Sequence, residues 1–324
     1  MKGFRPSRFL VVFAMSVAPA PGIAQSTNYL HDKISAYLRP YINTGNFSGS
    51  ILVVESGKTL FQDSYGLSDV RSRAPNRVDT KYHIASLSMQ FTAAAAMRLV
   101  EQGKLSLDTK VSAIVADVPN GQKITVRELL QEDSGLPDAN DLPGYDELLN
   151  AHQTPETLVQ FIRGRRPIRE PGGKSESEEH SAYNLLALII ERTTGLPFKE
   201  AMRREVFAPL KMDHSGIDDD GPIEAPVALG HVENGAVSLQ AAPRIHWSAK
   251  TGNASVYSTI GDERRWLAGF FSNAFLSDDR RQEILGWGDG YGWTKTMNPR
   301  LKEGLLHERA ITRIRVDRHL YAET

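Results

Sequence analysis

A chain of 324 residues with 38 basic and 39 acidic side chains carries a formal charge of -1, so it has no basic field to draw nucleic acid or anionic lipid. Small molecules or peptides are the partners to look for, and nothing in the sequence fixes an oligomeric state. The absence of cysteine excludes disulfides, thiolate metal sites and a thiol nucleophile.

Lys2, Arg5 and Arg8 precede an apolar run from Phe9 to Ala18 and a small-residue site at Gly22-Ile23-Ala24, the pattern of a secretory leader over residues 1–24. That run is well short of the roughly 20 residues that span a bilayer. The expectation is therefore export to the periplasm or beyond, with no stable membrane anchor, leaving one domain over 25–324.

Leu30, Ile34, Leu38 and Ile42 recur every four residues and predict an amphipathic helix. Two strand-like runs follow, Gly49 to Glu55 and Thr59 to Tyr65, joined at Ser56-Gly57-Lys58 as an antiparallel hairpin. An alanine-rich helix is predicted over 87–102, stopped by Gly103, with Ser86 at its N-terminal end. The middle of the chain reads as helical: Thr125 to Gln131, Thr154-Pro155 to Arg163, Ser181 to Thr194 closed by Gly195, and Phe198 to Phe207.

Asp218 to Asp220 reads as a solvated acidic loop, and Gly261 to Asn273 as a further helix. Gly286 to Gly292 reads as a turn-rich segment, its glycines lacking the strand and helix that a nucleotide loop needs. Strand-like pieces return at Leu301 to His307 and Ile311 to Val316. This order gives an α+β fold in which both chain ends, about 28–85 and 240–324, build one sheet. A helical lobe over about 105–235 is inserted between them, and the cleft between the lobes is the natural substrate site.

A serine at the first turn of a helix presents its hydroxyl to solvent, close to backbone N–H groups able to stabilise an oxyanion. It still needs a base, and a lysine one turn on, as in SxxK, is placed to reach back to it. Here residues 82–93 read YHIASLSMQFTA. This segment resembles the nucleophile segment of the penicillin-binding-protein and class C β-lactamase family, usually SxxKQFTA. The likeness continues through Leu99 to Asp108, Ile124 to Leu130, Ser134-Gly135-Leu136-Pro137, Leu185 to Glu191, Pro209 to Met212 and Val256 to Asp262. The resemblance implies an antiparallel sheet flanked by helices, a mostly helical second lobe, and Ser86 as the nucleophile in the cleft between them. The implied chemistry is acyl transfer through a serine ester on β-lactams, D-alanyl peptides, esters or amides, with no cofactor and no metal.

The sequence departs from that pattern at three places. Met89 stands at the lysine position, and a thioether neither accepts a proton at neutral pH nor carries charge. The YxN tripeptide, counted back from Tyr183, falls on Glu178-Glu179-His180, and the cleft strand usually read KTG or HxG falls on His307-Glu308-Arg309. The resemblance therefore implies an exported serine hydrolase of impaired activity, or an inactive relative that binds a cell-wall peptide or a β-lactam. A rebuilt site would draw its base from Glu178 or His180, with His307 assisting from the opposite wall. Glu176 to His180 also reads as an ordinary solvated loop, and His83 as a packing residue beside the strand-to-helix turn.

Overall fold

The computed structural model describes residues 23–44, 47–55, 57–173, 179–225, 227–234, 238–286, 289–296 and 304–306. The predicted leader, residues 1–24, is almost wholly outside them. Helix α1 (Ile23–Asn43) turns Ile34, Leu38 and Ile42 onto a hairpin of β1 (Gly49–Glu55) and β2 (Lys58–Tyr65). Leu38, Phe47, Ile51 and Phe61 close a small core there, and the hairpin register pairs Gly49 with Tyr65 and Glu55 with Lys58.

A second small ladder, β3 (Leu67–Asp69) with β4 (Ala74–Pro75), leads to β5 (Tyr82–His83) and into α2 (Ser88–Glu101). Residues 88–97 of α2 are all buried, including the four alanines 93–96, so this helix is the axle of the main core. A helix that is apolar on every side has to be enclosed by neighbours, and small side chains let them come close.

Those neighbours come from the helical lobe. The lobe begins with α3 (Val126–Leu130), where Thr125 and Glu128 form a capping box, and α4 (Tyr145–Leu149). In α5 (Pro155–Ile162) Thr154 caps and Pro155 takes the first position, where its missing N–H is harmless. Helix α6 (His180–Thr194) ends at Gly195 with φ +68°. It starts one residue before the expected Ser181, which puts His180 on the helix. Helix α7 (Phe198–Met202) runs on as a π-helical turn to Phe207.

The remaining elements are β6 (Gly216–Ile217), β7 (His231–Asn234), β8 (Ser238–Ala241), β9 (Val256–Ser258), α8 (Ile260–Phe270), α9 (Asp278–Gly286), β10 (Asp289–Gly290), β11 (Trp293–Thr296) and β12 (Gly304–Leu306). The strands lie in short antiparallel ladders: β1–β2, β3–β4, β5–β9–β6, β7–β8 and β10–β11–β12. Both ends of the chain thus contribute strands and meet where β5 pairs with β9, but among the described residues the ladders remain separate rather than forming the single sheet expected. The predicted strand Ile311 to Val316 lies outside those residues, as does His307. No described helix is long and apolar enough to cross a membrane.

Two glycines bring backbones together around α2. Gly252 (φ +91°) receives the Thr92 hydroxyl on its carbonyl at 2.7 Å while lying against the Tyr183 carbonyl of α6. Gly292 (φ +73°) lies on the peptide between Met89 and Gln90, where a Cβ would stand 2.6 Å from the Met89 carbonyl carbon. Its neighbour Tyr291 is fully buried and donates its N–H to Leu130 O at 2.7 Å, the same carbonyl that receives the Tyr183 hydroxyl at 3.2 Å. Tyr291 and Gly292 therefore clamp the start of α2. Burial lifts the Tyr291 hydroxyl to a pKa of about 12, so it stays neutral at physiological pH. Trp293 packs on Phe270 with ring centroids 4.8 Å apart.

Candidate active site

Ser86 sits in a single 3-10 turn, Ala85–Leu87, between β5 and α2, and is partly exposed. The turn is sharp because Ala85 takes φ +49°, a left-handed conformation that disfavours any residue with a Cβ and is tolerated only where the surroundings hold it. Those surroundings are visible. Ile84 N–H donates to Val256 O at 3.0 Å, and Val256 N–H donates to Ser88 Oγ at 3.0 Å, so strand β9 grips the chain on both sides of Ser86. Ser88 is buried and engaged, while Ser86 Oγ makes no hydrogen bond among the described residues.

The oxyanion donors differ from the expectation of a helix start rich in free N–H groups. Leu87 N–H is taken by Ile84 O at 3.1 Å, and Ser88 N–H turns back to the Ala85 and Ser86 carbonyls. The 3-10 geometry consumes them, which leaves the Ser86 N–H itself as the nearest donor. Met89, at the position of the missing lysine, is fully buried in the main core. Its side chain is a packing element, and the neighbouring Gln90 accepts from the Trp266 indole at 2.8 Å.

The segment expected to carry the substitute base divides sharply. Glu178 lies outside the described residues. Glu179 is buried at 1% exposure, which corrects the solvated reading for this residue. Its carboxylate accepts Ser134 N–H at 2.9 Å, the Ser134 hydroxyl at 2.6 Å and Gly135 N–H at 3.1 Å, and it pairs with Arg169. Burial pushes the Glu179 carboxyl above its ordinary range, against the pull of those donors and of Arg169. So engaged, Glu179 anchors the entry to α6.

His180 is placed differently. Its Nδ1 lies 2.7 Å from Asp138 Oδ2, on the loop that follows Ser134 to Pro137, and 2.8 Å from Asn140 Nδ2. Asn140 Oδ1 in turn accepts from Lys250 Nζ at 3.3 Å, and that ammonium lies over the Tyr145 ring, 4.7 Å from its centroid. Asp138, Asn140, Lys250 and Arg169 were not singled out from the sequence. Asp138 was one residue from doing so, directly after the Ser134-Gly135-Leu136-Pro137 motif.

His83 packs as expected, stacked on Trp247 with centroids 3.7 Å apart, and its Nε2 is 2.8 Å from Asp218 Oδ2. The acidic loop is not simply solvated. Asp218 is buried against His83, Asp219 holds Lys199 at 2.8 Å, and Asp220 Oδ2 lies 3.0 Å from His152 Nδ1 and 3.1 Å from His246 Nδ1. Among the described residues no group of three or more His, Asp or Glu side chains is arranged to hold a metal ion.

Residues 34–304 match the family model described as beta-lactamase. Protein flp of Staphylococcus aureus (strain MRSA252) is 28% identical over 248 residues, covering 74% of this chain and 49% of the relative. The chain spans about half the length of the curated relatives it matches. The penicillin binding protein from Bacillus halodurans superposes with a TM-score of 0.70 at 25% identity, covering 82% of this chain and 84% of that one. The D-amino acid amidase from Ochrobactrum anthropi SV3 superposes with a TM-score of 0.66 at 25% identity, covering 79% and 74%.

Proposed function

The chain belongs to the beta-lactamase family, and from that premise we propose that it is an exported serine hydrolase of reduced activity, acting through an acyl ester on Ser86. The observation that carries this reading is Ser86 itself, held on a strained turn at the mouth of α2 with its hydroxyl unengaged while the adjacent Ser88 is locked into the core. The likeness to a penicillin binding protein and to a D-amino acid amidase supports β-lactams and amides or esters of D-configured acyl groups as the substrate class.

The test is acylation. Purified protein is incubated with a labelled penicillin and with an activated ester, and intact mass is recorded for wild type and Ser86→Ala. An adduct present in wild type and absent in the variant is expected. Absence of any Ser86-dependent adduct with both reagents sinks the reading.

A second reading, an inactive relative that binds a cell-wall peptide or β-lactam, is favoured by one observation: the lysine position is filled by an apolar side chain built into the core. Calorimetry with D-alanyl peptides on wild type, read beside the acylation result, separates the two, because binding without acylation in wild type belongs to the second alone. Met89→Lys is expected to restore little hydrolysis and to lower stability by roughly 2–4 kcal/mol, since position 89 has no exposure through which an ammonium keeps its water. Full recovery of hydrolysis with an unchanged melting temperature would contradict this account of the site.

A further inference from the structure

Resting on the reading of Ser86 as nucleophile, we propose that Ser88 is a positioning residue for it. The Ser88 hydroxyl, by holding the Val256 N–H, keeps the left-handed turn at Ala85 from relaxing and so fixes where the Ser86 hydroxyl stands. Alanine at φ +49° is disfavoured by roughly tenfold in population against its ordinary conformations, because its Cβ crowds the backbone carbonyl. Glycine carries no such penalty. The turn therefore has a cost that its surroundings must offset.

Ile84 and Leu87, each 4% exposed, embed their side chains in the main core, and Leu87 N–H donates to Ile84 O at 3.1 Å. Those contacts close the turn but leave open how it is aligned with strand β9. The alignment comes from one residue of that strand. Val256 O accepts the Ile84 N–H and Val256 N–H donates to Ser88 Oγ, both at 3.0 Å, so the two polar groups of Val256 bracket Ala85, Ser86 and Leu87. Strand β9 runs between β5 and β6, pairing Ser258 with Tyr82 and Val256 with Ile217, so the bracket stands on a three-stranded ladder.

Burial gives the Ser88 bond its leverage. Val256 and Ser88 are each 1% exposed, so without the hydroxyl the Val256 N–H has no water to turn to, and a buried N–H without a partner is costly. In Ser88→Ala the strand and the first turn of α2 shift to satisfy it, the bracket opens on its C-terminal side, and Ala85 falls back to negative φ. Gly292, lying against the Met89–Gln90 peptide, limits how far the helix start yields, so the displacement falls on the turn that carries Ser86. Ser88 is not itself a second nucleophile, because its buried Oγ is committed to a backbone N–H while Ser86 is partly exposed.

The experiment compares wild type, Ser88→Ala, Ala85→Gly, the double variant of these two, Ser248→Ala and Ser86→Ala, reading the acylation rate of an activated ester by intact mass and the thermal melt of each. Ser248 is the control for a lost serine acceptor, since its Oγ is equally buried and accepts the Gln153 N–H at 2.8 Å beside the start of α5. Ser88→Ala is expected to acylate about 10²-fold more slowly, the scale of a ~1 Å misplacement, whereas Ser248→Ala melts lower but acylates at the wild-type rate. In the double variant most of the rate returns, because glycine keeps positive φ without the bracket. A purely structural role for Ser88 leaves the two effects additive instead. Backbone couplings at isotopically labelled Ala85 read its φ without turnover, and are expected to show the left-handed turn in wild type and its loss in Ser88→Ala. Ser88→Cys keeps the side chain in place and weakens only the acceptor; its rate is expected between those of wild type and Ser88→Ala, and it carries the test if the alanine variant does not fold.

Ser88→Ala acylating at the wild-type rate, a loss matched by Ser248→Ala, a loss that Ala85→Gly does not relieve, or an Ala85 still left-handed in Ser88→Ala overturns the proposal alone. Absence of Ser86-dependent acylation in wild type overturns it together with the reading on which it rests.

Discussion

Replacing Arg169 by Met is expected to destabilise the protein by about 3–5 kcal/mol at neutral pH, the range for breaking a buried ion pair from one side, and by clearly less in mild acid. Arg169 serves five groups at once. Its Nη2 donates to Glu132 O at 3.0 Å, pairs with Glu179 and lies 3.8 Å from Asp133 Oδ1, and its Nη1 donates to Gly173 O and to Asp133 O at 3.3 Å. Methionine fills much of the space but leaves the Glu179 carboxylate buried with only Ser134 and Gly135 as donors.

The sign of the pH effect follows from Glu179. Its folded pKa is raised, chiefly by burial, so the folded state binds the proton more tightly than the unfolded chain does. Its contribution is most favourable below the unfolded carboxyl pKa and is lost as pH climbs through the raised folded value. Removing Arg169 takes away a charge that pulls this pKa down, so the variant's deficit widens toward neutral pH and narrows on acidification. Urea unfolding of wild type and Arg169→Met at mildly acidic and at neutral pH measures it. An equal difference at both, or one below about 1 kcal/mol at neutral pH, would mean that the pair behaves as an exposed surface bridge.

The same cluster shows which parts of the site were legible in the sequence. The turn that carries Ser86 was legible because everything that marks it is local: a short strand, a turn and an alanine-rich helix with its glycine stop. The helices α3, α5 and α6 were legible for the same reason, since Thr125, Thr154 and Gly195 are caps that act within one turn. Helix α9 was not. Its residues DDRRQEILG have almost no apolar period, and what fixes them is distant or electrostatic, as in Glu283 to Arg127 at 2.7 Å and Arg281 to Asn273 at 3.0 Å.

Glu179 and His180 fall between these cases. Their polar run reads as solvated because the donors that bury Glu179 lie 10 and 45 residues earlier in the chain, at Arg169 and Ser134. Asp138 is 42 residues from His180, a pairing that only the fold creates. In the acidic loop at 218–220 only Asp218 departs from a solvated reading by being buried, and its partner His83, like Lys199, His152 and His246 beside Asp219 and Asp220, reaches it from elsewhere in the chain.

Gly252→Ala is expected to lower stability by about 2–5 kcal/mol, from left-handed strain of roughly 1–2 and overpacking of roughly 1–3, and to lower Ser86 acylation in the molecules that remain folded. At φ +91° an added Cβ points into the Tyr183 carbonyl and comes within 3.1 Å of Ala187 Cβ, so the strain and the collision fall on the backbone of α6. Neither the helix nor the loop can yield alone. The Gly252 carbonyl is held by Thr92 of α2 and the preceding Thr251 carbonyl by Asn184 of α6. Relief therefore spreads α2 from α6 and drags the segment that ends in Val256, whose N–H and carbonyl grip Ser88 and Ile84 on either side of Ser86. Gly195→Ala is the control, because Gly195 has φ +68° but nothing within 4 Å of its added Cβ. That variant should show the conformational part alone, near 1 kcal/mol, with acylation unchanged. Thermal melts and acylation rates of the two variants side by side isolate the collision, and equal losses in both would show that α2 and α6 are not wedged at Gly252.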